Sequence, residues 1–274
     1  MSEHTIDVGE GVTLAVSDEG AGVPVVLLHG LTASRRYVVM GSSGLRRGGH
    51  RVVAYDARGH GASSPAPSPD AYDYALLVAD VTAVLDALEL DRAVLAGVSM
   101  GAHTCLALAL EMPERVAGLV AITPAFDPVE YDGPERLVRW DALSDALRTG
   151  GIEGFAKEFG TQRLPEQWRE TVGRAVRQRM AAHEHSDAVA DALRAVPRSA
   201  PFVDLHALEQ IECSALVIGS RDEADPGHPC KIAERYAELL PRGRFAVEEP
   251  GQSPLAWQGG RVSKLIAQVA GEAW

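Results

Sequence analysis

Apolar residues in this chain gather into short unbroken runs closed by glycine, proline or a polar turn. The runs are 24–29 (PVVLLH), 51–55 (RVVAY), 92–98 (RAVLAGV), 117–123 (AGLVAIT), 215–219 (ALVIG) and 244–247. Runs that are apolar on both faces predict strands buried inside a parallel sheet. Residues 13–18 predict one more strand. Helical spacing fills the gaps. In 74–88 the residues Leu77, Val81, Val84, Leu85 and Leu88 fall on one face. Segment 100–112 is apolar almost all round, which predicts a buried helix stopped by Pro113. Segments 231–240 and 262–269 predict two more helices. Alternation of this kind implies βαβ units and a doubly wound, mostly parallel sheet of the α/β class.

The alternation fails between Asp127 and Asp204. No buried-strand run occurs there, and the amphipathic stretches 168–180 and 187–196 predict helices. The expected organisation is therefore a core built from 1–126 and 205–274, with 127–204 as a helical cap insertion. In an open α/β sheet such an insertion sits over the carboxyl ends of the strands, where ligands bind.

Composition narrows the function classes. A net charge of −12 argues against nucleic acid and anionic membranes as partners, because both repel it. No stretch approaches 18 continuous apolar residues, and the first residues lack a signal-like pattern. Three cysteines without CxxC spacing suggest neither a disulfide framework nor a zinc site. No Gly-rich phosphate loop is present, so a nucleotide cofactor is not expected; no metal is expected either. The expectation is a cytoplasmic protein with a small-molecule substrate, in a form that allows a homodimer.

The chemistry concentrates at Gly97-Val98-Ser99-Met100-Gly101, a G-x-S-x-G motif between a predicted strand and a predicted helix. In that setting the serine stands on a strained turn and projects above the sheet. The helix behind it offers free N–H groups and the positive end of a dipole. The N–H of Met100 can therefore stabilise an oxyanion, and the loop after 24–29 supplies a second donor, most simply Leu31 N–H.

With this motif the chain resembles the α/β-hydrolase superfamily, its serine-nucleophile, esterase-like branch. The matching residues are His29-Gly30, YDARGHGASS (55–64), GVSMG (97–101), PERV (113–116) and GSRDEADP (219–226). The resemblance covers roughly 12–126 and 205–270 and implies a triad in the order Ser, acid, His. It implies Ser99 as nucleophile and Asp222 as the acid, with Asp225 as a local rival and Asp127 as a distant one. The family's base would fall at Gly251-Gln252-Ser253-Pro254, 30 residues after Asp222, where Gln252 stands. A carboxamide cannot take and return the serine proton near pH 7. Gln252 is then either native to a lineage with altered chemistry or an introduced replacement of histidine.

Nine histidines could substitute. His4 and His50 read as solvated, His60 as part of a turn, His183 and His185 as exposed on the insertion, and His206 as a surface or packing residue. His103, four residues after Ser99 on one helix, can lean back toward it but fits a core role better. His228, six residues after Asp222, is expected to begin a helix leading away. Both stand as alternative bases. Leu31, Thr32, Met100, Phe126, Trp140 and Phe155 are candidates to line the pocket. The reading is a serine hydrolase for a carboxylic ester or small carbonyl substrate. Two alternatives are a lyase- or isomerase-type enzyme and a small-molecule-binding pseudoenzyme on the same fold.

Overall fold

The computed structural model describes residues 2–129 and 134–274. Residues 130–133, inside the expected insertion, lie outside the described residues. Eight strands form one sheet: β1 (Ser2–Asp7), β2 (Thr13–Glu19), β3 (Pro24–Leu28), β4 (Arg51–Tyr55), β5 (Ala93–Val98), β6 (Val116–Ile122), β7 (Ser214–Ile218) and β8 (Gly243–Ala246). Their spatial order is β1-β2-β4-β3-β5-β6-β7-β8. β1 and β2 pair antiparallel, β2 and β4 likewise, and every later pair is parallel.

The apolar runs became the central strands because they meet side chains on both faces. One face packs under α2 (Tyr74–Ala87), α3 (Met100–Glu111) and α7 (Cys230–Leu239), through Val26, Leu95, Leu119 and Val217. The other packs under α1 (Gly44–Arg47) and α8 (Gly259–Ala273), through Val25, Val94, Val120 and Leu216. The continuous apolar helix expected after Ser99 is α3, with residues 100–109 all buried. Asp73 caps α2 by accepting Leu76 N–H at 2.8 Å. β1 escaped the sequence reading because only Ile6 of its six residues is buried, so an edge strand held by backbone bonds leaves no apolar run.

Between β6 and β7 the chain makes α4 (Pro134–Phe159, broken at Gly151, φ 58°), α5 (Glu166–Met180) and α6 (Ser186–Ala195). α4 packs on α6: Ser144 Oγ donates to the Ala190 carbonyl at 2.7 Å. Arg148 pairs with Asp191 and Arg194 with Asp145. Phe155, expected in the pocket, is fully buried and packs 6.2 Å from Phe159, so it supports the helices from within. This segment also docks on the core by backbone. Gly61 N–H donates to His183 Nδ1 at 2.9 Å, and Glu184 N–H donates to the Gly61 carbonyl at 2.9 Å. His183 is thus a docking residue, which corrects the expectation that it is exposed. Its helical neighbours suggested a charged surface, whereas it lies past the end of α5, turned into the core.

Candidate active site

Ser99 sits between β5 and α3 with φ 51° and ψ −110°, a conformation disfavoured for a residue with a side chain. The surrounding structure holds it there: Ser99 N–H donates to the Ile122 carbonyl at 2.9 Å, and His103 N–H donates to the Ser99 carbonyl at 3.0 Å. The two flanking glycines are required sterically. A Cβ on Gly101 would lie 2.2 Å from the Leu28 carbonyl oxygen, and one on Gly97 would lie 2.2 Å from the Gly101 backbone. Only hydrogen at both positions lets α3 approach the sheet closely enough to present Ser99 at the strand end.

A histidine reaches the hydroxyl. His228 Nε2 lies 2.9 Å from Ser99 Oγ, and His228 Nδ1 lies 2.8 Å from Asp225 Oδ2. An ionised carboxylate only accepts, so Nδ1 carries the proton and Nε2 presents a lone pair to the serine. Asp225, Pro226, Gly227 and His228 form one turn, closed by His228 N–H donating to the Asp225 carbonyl at 3.1 Å. α7 begins only at Cys230, so His228 belongs to the turn and not to a departing helix.

Burial opposes charge on both members of this pair, and their mutual attraction prevails. His228 is raised above the usual histidine value because the charge and hydrogen bond of Asp225 outweigh burial and the repulsion of Arg179 and Arg139. Asp225 is lowered: burial is overcome by His228, Arg179 and Arg139.

The other expected site residues fall elsewhere. Asp222 does not reach the histidine. Its Oδ1 accepts Cys230 N–H at 2.7 Å and so caps the start of α7. Asp127 pairs with Arg235 at 3.0 Å. Gln252 is exposed, with Oε1 accepting from Arg261 at 3.3 Å. It borders a small second cleft, between Trp168 and Glu223, that shares no described residue with the one beside Ser99. The loop carrying Gln252 is tied down by Glu248, whose buried carboxylate accepts Arg221 N–H at 2.6 Å and Leu255 N–H at 2.9 Å. His103 is a core residue. Its Nε2 accepts from Ala125 N–H (3.1 Å) and Phe126 N–H (3.2 Å), its Nδ1 meets Tyr74 Oη at 3.0 Å, and burial pushes its pKa down to about 3. Among the described residues no group of three His, Cys, Asp or Glu side chains is placed to hold a metal ion.

A cleft partly open to solvent adjoins Ser99. Leu31, Met100, Phe126 and Trp140 line it as expected; Thr32 and Phe155 do not. Met100 is the first residue of α3, where an N–H has no acceptor within the helix. The Leu31 residue is held through its carbonyl, which meets His60 Nε2 at 2.8 Å.

Comparison with known proteins agrees with this architecture. A sequence model of the α/β hydrolase fold matches residues 23–198. The chain belongs to the α/β hydrolase fold family. Within that family, a Bacillus subtilis (strain 168) protein provisionally named 2-succinyl-6-hydroxy-2,4-cyclohexadiene-1-carboxylate synthase is 29% identical over 259 residues, covering 90% of each chain. A protein of Mycobacterium phage D29, provisionally named non-heme haloperoxidase, is 35% identical over 136 residues, 48% of this chain and 47% of its own; the match thus spans about half of that relative. Among solved α/β hydrolase folds, a thermophilic esterase from Thermogutta terrifontis superposes with a TM-score of 0.81 at 24% identity, over 100% of this chain and 99% of its own. A hydrolase from Pseudomonas aeruginosa PA01 superposes with a TM-score of 0.71 at 28% identity, over 90% of both.

The sequence offered His228 only as an alternative, because a histidine was sought first in the loop after β8. The signal that could have paired it with Asp225 is the tetrapeptide Asp225-Pro226-Gly227-His228. Pro-Gly at the centre of a turn brings residues i and i+3 together, here a carboxylate and an imidazole.

Proposed function

We propose that the protein is a serine hydrolase of carboxylic esters in which Ser99 is the nucleophile, His228 the general base and Asp225 the acid that orients it. The observation that carries this reading is the continuous chain of contacts from Ser99 Oγ to His228 Nε2 at 2.9 Å and from His228 Nδ1 to Asp225 Oδ2 at 2.8 Å. The order Ser, Asp, His is preserved, with acid and base three residues apart on the loop after β7. The helices between β6 and β7 act as a cap that closes the cleft over Ser99, and the substrate is a small molecule.

The chemistry follows from the geometry. As Ser99 Oγ attacks the ester carbonyl carbon, His228 Nε2 takes the hydroxyl proton, and the carbonyl π pair moves onto oxygen. The N–H groups of Met100 and Leu31 receive that oxyanion. His228 then gives its proton to the departing alkoxide as the C–O bond breaks, leaving an acyl-enzyme. A water deprotonated by His228 attacks the acyl-enzyme. Collapse of the second oxyanion expels Ser99, which regains its proton from His228, and frees the acid.

An organophosphonate probe should label Ser99 with 1:1 stoichiometry, read by intact-protein mass spectrometry. Labelling should vanish in Ser99→Ala and slow sharply in His228→Ala. Absence of labelling in folded protein sinks the hydrolase reading.

A further inference from the structure

The loop that carries Leu31 is held by histidines that the proposed chemistry does not use. Residues 30–33 form a turn, closed by Ala33 N–H donating to the Gly30 carbonyl at 2.9 Å. The same carbonyl meets His29 Nδ1 at 2.9 Å, and His29 Nε2 accepts from Ala57 N–H, which leaves the ring proton on Nδ1. The peptide bearing Leu31 N–H is thus fixed from its carbonyl end. Types I and II of such a turn differ by a flip of the central peptide, which the closing bond does not prevent. Here the central peptide is gripped as well. The Leu31 carbonyl meets Nε2 of the buried His60 at 2.8 Å. A Cβ on Gly30 would lie 3.6 Å from Ser99 Cβ, so this turn stands directly against the nucleophile.

On its other side His60 meets the helical segment. Gly61, the next residue, donates its N–H to His183 Nδ1 and accepts from Glu184 N–H, both at 2.9 Å. The His60 and His183 rings meet edge-on with centroids 5.5 Å apart. A Cβ on Gly59 would lie 3.1 Å from Ala188 Cβ on α6. His60 Nδ1 meets the Arg58 carbonyl at 2.9 Å. Carbonyls only accept, so each contact of this ring calls for a proton on its nitrogen.

We infer that His60 is a positioning residue for the oxyanion donor, tying Leu31 to the docked helical segment so that the site is complete only while that segment sits on the core. This role presupposes the one proposed for Leu31 N–H. Without a donor from His60 the buried Leu31 carbonyl is left unpaired, and the turn re-aims to satisfy it. The oxyanion exists only beyond the ground state, so a displaced donor slows turnover without weakening substrate binding.

Two amides separate the contacts of the ring. Asparagine places an N–H where Nδ1 stands, toward Arg58, and glutamine places one where Nε2 stands, toward Leu31. The probes are 4-nitrophenyl acetate, for turnover, and phenylboronic acid, which becomes a tetrahedral anion on Ser99. His60→Asn should lower kcat by about 100-fold, the scale of a 1 Å misplacement, with KM little changed. The inhibition constant of the boronate should rise by a similar factor. His60→Gln should recover most of both. Should His60→Asn not fold, as thermal unfolding will show, His60→Phe, similar in bulk and without a donor, takes its place. His183→Ala removes the acceptor for Gly61 N–H and should lower kcat by the same route. The double variant His60→Asn/His183→Ala should therefore lose little more than His60→Asn alone. A parent-like kcat in His60→Asn, an equal loss in His60→Gln, or losses that multiply in the double variant overturn the inference while the hydrolase stands. If the parent itself cleaves no ester, the hydrolase reading fails and takes this role of His60 with it.

Discussion

Replacing His228 by alanine should lower kcat for ester hydrolysis by about 10⁶-fold, the scale reached when a serine hydrolase loses its base, while the fold survives. Ser99 Oγ would keep its position but lose the lone pair that takes its proton. Asp225→Asn should cost about 10⁴-fold, because an amide can turn its donor to Nδ1 and fix the wrong tautomer. Asp222→Asn offers the contrast. It weakens the cap on Cys230 N–H, an effect of about 1 kcal/mol or less on stability, and should leave kcat close to the parent's. Gln252→His should bring no large gain, since Gln252 is exposed and paired with Arg261, and Ser99 already has a partner. Because Asp225 raises His228 above 6.5, the acid limb of kcat/KM should fall above pH 6.5, and Asp225→Asn should move it to lower pH. Steady-state kinetics of the four variants across pH checks the set. A rise of several orders of magnitude in Gln252→His, with His228→Ala near the parent, would return the base to the loop after β8.

Acid should unfold the protein steeply. Three histidines, His29 and His103 buried and His183 half-buried, use a ring nitrogen as an acceptor for backbone N–H. His29 Nε2 accepts from Ala57, His103 Nε2 from Ala125 and Phe126, and His183 Nδ1 from Gly61. A proton on that nitrogen would set donor against donor and charge a ring that is at least half-buried. Burial first, then neighbouring histidines, pushes His29 down to about 4 and His183 to about 3, and burial pushes His103 to about 3. All three lie below the unfolded value of about 6.5, so the unfolded chain binds more protons. Their contribution is fully present above pH 6.5 and is lost as pH falls toward 4 and 3. Each histidine costs about 1.4 kcal/mol per pH unit in that window, hence about 4 kcal/mol for three. His228, raised in the fold, works the other way and offsets part of this loss. Against a total stability of about 5–15 kcal/mol, the loss should bring unfolding near pH 4 to 5. Urea midpoints between pH 7 and 4.5 measure it. His183→Asn, whose Oδ1 can accept Gly61 N–H without titrating, should flatten the slope by about one third. A midpoint that does not move between pH 7 and 5 would refute this account.

Hydrophobic patterning carried most of the fold. The central strands of the sheet follow from continuous apolar runs, because a strand buried on both faces must be apolar at every position. β1 was invisible for the converse reason. Ser99 was legible too, since Gly97 and Gly101 serve a packing need that a motif expresses locally: α3 has to come within contact of Leu28. Phe155 and His183 were misplaced because helical amphipathicity says that a face is buried and not what buries it. His183 faces the loop at Gly61, and Phe155 faces Phe159.

By itself, the sequence settled the α/β sheet, the serine at the end of β5 and the helical segment between β6 and β7, since each is written in contiguous residues. Which histidine meets Ser99 was decided only by tertiary structure. The two residues are 129 apart in the chain and meet because β7 ends near β5, where a four-residue turn swings one imidazole across. Two loops, after β7 and after β8, each end a strand on the same side of the sheet. No local pattern says which reaches the serine, because that depends on how far each loop leans, and the leaning is set by contacts distant in sequence.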